Sequence, residues 1–364
     1  MKGILKLGTI SGIRIEVHWT FIFLIVWVIY IEVKRGGSFE SAMIHMAFIL
    51  VLFACVVLHE LGHALMARRY GIATQKITLL PIGGVASLEK MPKEPREELL
   101  VAIAGPLVNV GIALLLLIVV PWQQYVQLNA EELEQMFSTI SLQNFLFYLL
   151  VANLILVVFN LIPAFPMDGG RVLRAILAMG MNRRRATSIA AGLGQLLAIG
   201  FFVFGIFFNP FLILIALFIF LGAAGENQME QQLSLLEGYT IKDAMLTNIT
   251  KLSPSTQIKE VVELLIAGTE RDFVVVDDQD ELLGVLLHGE IVKNVKNHNL
   301  PIDSIMNKDL TVLEANTPLK EALSAMALEK KKFFPVIENN HLAGAIDQTN
   351  LSEFILLRSQ LLNT

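Results

Sequence analysis

Residues 56 to 71 read VVLHELGHALMARRYG, an apolar run that also holds His59, Glu60 and His63. The two histidines are four residues apart, so on a helix they share a face, one turn above the other. Imidazoles so placed can grip one zinc ion, with the Glu60 carboxylate beside it. A bound ion of this kind polarises a carbonyl and lowers the pKa of water. Glu60 could then take a proton from that water and pass it to a leaving nitrogen. The competing reading is three interfacial groups that fit the pattern without a metal. Ionisable groups inside an apolar span are costly, however, and mark function by default.

A tetrahedral catalytic site needs a third protein ligand and an open position. The candidate is Asp168, in NLIPAFPMDGGR at 160 to 171. Pro163, Pro166 and the pair Gly169-Gly170 interrupt a helix there, which lets Asp168 turn back toward the histidines. Read alone, Asp168 would be an ordinary helix cap.

The elements that must bring these groups together are set by hydropathy. The chain has 364 residues, of which 54% are hydrophobic and 17% charged, against about 25% charged in an ordinary soluble domain. Apolar runs occupy 17–33, 44–66, 99–119 and 143–163, and a longer one at 189–224 is broken once, at Asn209-Pro210. A span needs about 20 apolar residues, so the reading is six spans, the last two a hairpin turning near Asn209. Lys and Arg mark the cytoplasmic loops. Lys2, Lys6 and Arg14 precede the first span; Arg68, Arg69, Lys76, Lys90, Lys93 and Arg96 lie between the second and third; Arg171, Arg174 and Arg183 to Arg185 follow the fourth. The 120–142 loop has no Lys or Arg but carries Glu131, Glu132 and Glu134. Both termini are therefore expected in the cytoplasm and the protein in the plasma membrane, anchored rather than led by a cleaved signal. The single cysteine, Cys55, gives no disulfide framework, the net charge of -5 says little about partners, and no basic patch with interleaved aromatics points to nucleic acid.

HELGH at 59–63 and NLIPAFPMDGG at 160–170, with PIGGVASLEKMP at 81–92 and AGPLVN at 104–109 in the same order, make residues 1–224 closely resemble the site-2 protease family of intramembrane zinc metalloproteases. The resemblance implies His59, His63 and Asp168 as ligands of one catalytic Zn2+ and Glu60 as the base. It also implies Asn160 close to the reacting oxygen, where its amide could hold substrate or steady an oxyanion. The expected substrate is a single-span membrane protein, unwound and cut near the cytoplasmic face in regulated intramembrane proteolysis. ITLLPIGGVASLE, with glycines that permit a tight return, can present a strand edge to an unwound peptide, or can simply pack over the bundle. Gly105, Pro106 and Asn109 read as a close helix contact with a polar link. His18 beside Trp19 reads as an interfacial pair, His45 as a far-side residue, and Arg183 to Arg185 as topology and lipid contacts.

Beyond about residue 230 charge returns and the sequence repeats. IKDAM at 241–245 matches IDSIM at 302–306, STQIKEVVELL at 255–265 matches NTPLKEALSAM at 316–326, and FVVVDDQDELLGVL matches FFPVIENNHLAGAI, at an offset near 61. Each copy is expected to give a short helix, a strand, a longer helix, a hairpin turning at Asp or Asn, and a final helix. The copies resemble a tandem CBS pair. That resemblance implies a regulatory module with an adenine nucleotide in the cleft and association into a homodimer. At the positions where the family usually holds ribose and phosphate this chain has Leu287 and Glu290, then Asp347 and Asn350. Leu287 offers no hydroxyl and Asp347 would repel phosphate, while Asp347 and Asn350 can still contact a ribose. A dimerising or substrate-docking module stands as the equal alternative.

The expected fold is thus a polytopic α-helical membrane protein: six transmembrane helices with a small membrane-associated β-sheet, plus a cytoplasmic α/β CBS pair. The expected parts are a protease domain at 1–225, a linker at 226–239, and repeats at 240–296 and 301–360. The alternative function is a CBS-gated transporter or channel, which predicts a polar path across the bundle rather than polar groups gathered at one depth. A dead scaffold is opposed by the intact His59, Glu60, His63 and Asp168.

Overall fold

The structure is a computed structural model that describes residues 3–81, 83–88, 92, 94–126, 140–329 and 331–361. Lys2, Lys90, Lys93, Glu131, Glu132 and Glu134 of the charge count lie outside these residues. The chain divides into two compact units between Glu230 and Gln231.

The first unit opens with a hairpin, β1 (Ile4–Ile10) and β2 (Ile13–His18). Its turn is Ser11-Gly12, both at positive φ, and Ile10 pairs with Ile13. A two-residue turn of this hand matches strand twist. Helix α1 (Phe21–Lys34) follows, then α2 (Phe39–Arg69), whose Ser38 side chain accepts from the Ser41 amide as an N-cap. Strands β3 (Thr74–Leu80) and β4 (Gly83–Leu88) come next. The four strands form one sheet in the order β1-β2-β3-β4, with β2 and β3 parallel and the other pairs antiparallel. Ile13, Ile15 and Ile77 on one face pack against Leu61 and Ala64 of α2. The sheet is therefore mounted on the helix that carries the histidines.

Helices α3 (Pro95–Val119), the short α4 (Trp122–Val126) and α5 (Phe145–Leu161) complete the part around α2. Pro163 and Pro166 end α5, and α6 (Asp168–Ala178) restarts at Asp168. Helices α7 (Arg183–Phe207) and α8 (Phe211–Leu235) make the hairpin expected at Asn209. Among the described residues four helices are long and apolar enough to cross a membrane: α2, α3, α7 and α8. Of the six expected spans, the other two correspond to α5, with 17 residues, and α1, with 14. At about 1.5 Å per residue these are short for a core of about 30 Å.

The N-terminal hairpin carries Lys6 and Arg14, two of the charges counted ahead of the first span. Its signal is present in the alternation Ile13, Ile15, Val17 ahead of the apolar run, but the parallel partner β3 lies far along the chain. His45 falls in the second turn of α2. Its Nδ1 lies 2.9 Å from the Ser41 carbonyl oxygen, a hydrogen bond, and 3.5 Å from the buried Glu32.

The second unit bears out the duplicated pattern. In the first repeat β5 (Lys251–Leu252) runs parallel to β6 (Phe273–Val276), which pairs antiparallel with β7 (Leu282–Leu286). In the second, β8 (Leu313–Glu314), β9 (Phe333–Glu338) and β10 (His341–Asp347) repeat that order. Asp280, Asn339 and Asn340 take the left-handed turn positions. Helices α9 (Ile258–Ala267) and α10 (His288–Asn294), then α11 (Leu319–Glu329) and α12 (Gln348–Leu361), complete the copies. The short helix opening each copy packs into the other. Ile241 lies in a core with Ala315, Leu319 and Phe334, and Ile302 in one with Leu252, Ile258 and Phe273.

Candidate metal centre

His59 and His63 sit one turn apart on the buried face of α2, and α6 delivers Asp168 to them. His59 Nε2 and His63 Nε2 lie 3.1 and 3.0 Å from Asp168 Oδ2 and 3.1 Å from each other. Ligand atoms about 2.0–2.1 Å from a tetrahedral zinc lie about 3.3–3.4 Å apart, so the triangle has nearly the dimensions of three corners of such a site. The three side chains are buried and are a group that can hold a metal ion.

The outer nitrogens decide the tautomers. His59 Nδ1 lies 2.6 Å from Asn109 Oδ1, and His63 Nδ1 lies 2.7 Å from the Val101 carbonyl oxygen. Both partners are acceptors once Asn109 Nδ2 donates to Asn153 Oδ1, at 2.8 Å. Each Nδ1 therefore carries the proton and donates, which leaves both Nε2 lone pairs facing the carboxylate oxygen. Two lone pairs and an anion turned toward one point repel unless a cation joins them, so the donor set fits a divalent ion. The Arg171 Nε–H is buried with no acceptor among the described residues.

Small residues make the approach. A Cβ on Gly105 would lie 2.7 Å from His59 Nε2 and still closer to His63, and one on Gly62 would lie 2.8 Å from the Ala104 carbonyl oxygen. The glycines of HELGH and AGPLVN therefore set a close crossing of α2 and α3, in which α3 supplies Asn109 and Val101 to orient the histidines. Asn109 and Asn153 are fully buried, and Asn153 Nδ2 donates to the Leu149 carbonyl at 2.8 Å. This chain His59–Asn109–Asn153 runs from α2 through α3 to α5. The sequence reading placed a polar link at Asn109 but did not assign it to His59.

Glu60 projects from the same turn as His59 and meets β4: a Cβ on Gly84 would be 2.8 Å from Glu60 Cγ. Strand β4 closes one edge of the sheet, and its outer side has no strand partner among the described residues. Asn160 lies in the last turn of α5, partly buried, on the stretch that leads into the Asp168 loop. In the second unit the Asp347 carboxylate accepts the Asn350 amide at 2.7 Å and so caps α12, and Asn350 Oδ1 is buried without a partner. In the first repeat Leu287 cannot cap, and Asp272 accepts the His288 amide instead, at 2.7 Å.

Residues 47–203 match the model of Peptidase family M50, and 241–297 and 302–357 each match that of the CBS domain. A zinc metalloprotease of Methanocaldococcus jannaschii is 38% identical over 348 residues, covering 95% of this chain and 94% of the relative. Stage IV sporulation protein FB of Bacillus subtilis is 31% identical over 143 residues, 39% of this chain and 44% of that one. Among solved structures, the site-2 protease from Methanocaldococcus jannaschii is 43% identical and covers 62% of this chain and 95% of its own, with a TM-score of 0.45. The chain belongs to the M50, site-2 protease, family of zinc metalloproteases and carries a tandem CBS pair. It is a membrane metalloprotease with a regulatory module, which sets aside the transporter and channel reading.

Proposed function

We propose that the protein cuts a transmembrane segment of single-span membrane proteins near the cytoplasmic face, with His59, His63 and Asp168 holding one catalytic zinc and Glu60 as the base. The observation that carries this is the triangle of two Nε2 atoms and Oδ2 at 3.0–3.1 Å, with both Nδ1 atoms committed elsewhere. When bound, the ion polarises the scissile carbonyl and lowers the pKa of the attacking water. Asn109 and Val101 accept the Nδ1–H of His59 and His63 and so keep each Nε2 lone pair turned toward the ion's position. Glu60 takes a proton from the attacking water, the oxygen bonds to the carbonyl carbon, and the same proton passes to the leaving nitrogen as the C–N bond breaks. Asn160 donates its amide to the developing oxyanion.

A peptide bond inside a helix is shielded, so the substrate must unwind. The outer edge of β4 can take the unwound piece as an added strand, and Gly84 lets that strand lie directly over Glu60. The close seat of Gly84 on Glu60, where a Cβ would lie 2.8 Å from Glu60 Cγ, is what supports this over a merely packing hairpin.

The arrangement in the membrane follows from six crossings. Helices α1 and α5 serve as short spans where the bilayer thins or flanking residues snorkel. The arginines after α2 and the α5–α6 loop then share the cytoplasmic side with both termini and with the CBS pair. For that pair, the ligand the residues accommodate is the adenosine part of an adenine nucleotide. Asn350 offers a free buried oxygen to a ribose, while Asp347 opposes phosphate. Adenosine or AMP should therefore bind more tightly than ATP, measured by calorimetry, and the pair should bring two chains together in light scattering of the detergent-solubilised protein.

The test compares purified wild type with Glu60→Gln on a panel of single-span substrates, with zinc measured in both. Both should retain about one zinc and only the wild type should cut. Zinc-free protein with intact histidines refutes the metal site, and equal cutting by both removes Glu60 as the base.

A further inference from the structure

The most deeply buried charges outside the metal centre form one cluster. Glu98 on α3 and Arg174 on α6 are each 1% exposed. Arg174 Nε donates to Glu98 Oε1 at 2.7 Å and its Nη1 donates to Glu226 of α8 at 2.7 Å. Arg183, at the start of α7, donates to Glu98 Oε2 at 2.5 Å and to Glu230 of α8 at 3.1 Å. Arg183 is therefore tied into the fold, where a topology signal and lipid contact was expected. Every member has a partner of opposite sign, as burial requires.

The placement of the two central residues relates them to the metal centre. Glu98 lies one turn before Val101, whose carbonyl orients His63. Arg174 lies on the short helix that begins with Asp168, and its guanidinium stacks over the fully buried Phe165 ring at 5.0 Å. Phe165 belongs to the loop that turns the chain back to Asp168, and Gly170 packs against that loop so closely that a Cβ would lie 2.5 Å from the Phe165 amide nitrogen. Arg174 thus grips α6, the Asp168 loop and α3 at once. Its planar fork allows two directed contacts that a lysine cannot make.

We propose that Arg174 is the positioning residue for Asp168, and that Glu226 and Glu230 couple it to α8. Helix α8 is continuous from Phe211 to Leu235 and so carries the chain past Glu230 into the unit that holds the CBS pair. A turn or displacement of α8 moves Glu226 and Glu230, and through Arg174 and Arg183 shifts the helix that presents the third ligand. The inference rests on the reading of Asp168 as that ligand.

The test uses the full chain. Glu226→Gln/Glu230→Gln leaves the Glu98–Arg174 pair and every proposed ligand in place, so folding is retained. Hydrogen exchange is followed in metal-free protein over residues 164–178 and 59–63, and zinc affinity by competition with a chelator. The expected result is faster exchange at 164–178 alone and about a tenfold weaker zinc affinity. A merely structural role would lower the unfolding temperature and leave the zinc affinity of the folded protein unchanged, and that result overturns the proposal. Arg174→Lys should lose more than the double variant, because the fork is lost while the charge stays. A three-residue insertion after Gly238 should speed exchange at 164–178 in the wild type and add nothing in the double variant. No effect in the wild type, or full additivity, refutes the coupling. Wild-type protein that binds no zinc counts against the metal reading, while the exchange arm still tests the positioning.

Discussion

Asn109 makes the orientation of His59 testable without touching a proposed ligand or the base. In Asn109→Leu the His59 Nδ1–H loses its acceptor at 2.6 Å and Asn153 Oδ1 loses its donor at 2.8 Å, and both residues are buried. Each orphaned buried group costs about 1–3 kcal/mol. His59 can recover part of this by moving its proton to Nε2, but that nitrogen then no longer offers a lone pair to the ion. Loss of such an outer partner weakens metal binding about 10–100-fold, or about 1.4–2.8 kcal/mol. Asn109→Asp keeps the acceptor for His59 while setting an anion against Asn153 Oδ1, and should recover most of the affinity. The assay is zinc competition with a chromophoric chelator in detergent at neutral pH, followed by cleavage at saturating zinc. Asn109→Leu should need more zinc for half-maximal cleavage and approach wild-type rates when zinc is in excess. Unchanged affinity in Asn109→Leu would show that His59 is not oriented by this amide.

Gly105→Ala should abolish zinc binding, because the new Cβ would fall 2.7 Å from His59 Nε2; zinc content near one per chain would show that the α2–α3 crossing is looser than described. Gly84→Ala should leave zinc content unchanged and lower kcat on single-span substrates by about tenfold or more, since its Cβ crowds Glu60 at 2.8 Å; a wild-type rate would separate β4 from the reacting centre. Asn160→Ala should lower kcat by about 100-fold with zinc retained, and a change confined to KM would give the residue a binding role instead. Leu287→Thr should leave the first repeat folded, because Asp272 already caps the helix that follows, and a fall in the unfolding temperature of more than a few degrees would contradict that.

Much of the centre could be read from spacing. His59, Glu60 and His63 are local to one helical turn, and helix period alone puts the histidines on one face. Asp168 was accessible because prolines and glycines announce the break that returns it to the bundle. The duplicated repeats were accessible because each copy serves as a control on the other. What escaped depends on contacts between distant segments. Nothing local to Asn109 says that its amide oxygen meets His59, since that requires the α2–α3 crossing to be set by Gly62 and Gly105 together. Arg183 counted as a surface charge because a basic run looks the same whether it meets lipid or a buried Glu98. The pairing of β2 with β3 escaped for the same reason: strand period marks each piece, but no short-range signal names its neighbour. The interleaving of Ile241 and Ile302 into each other's repeat was likewise invisible to a pattern that treats the copies as separate.

The central claim is that two imidazoles and one carboxylate hold the ion, and zinc K-edge absorption fine structure on purified full-length protein tests it most directly. The spectrum should show nitrogen and oxygen scatterers alone at about 2.0–2.1 Å and an imidazole signature for two histidines, with loss of one oxygen scatterer and weakened binding in Asp168→Ala. A sulfur scatterer from Cys55, or a zinc environment unchanged by Asp168→Ala, would contradict it.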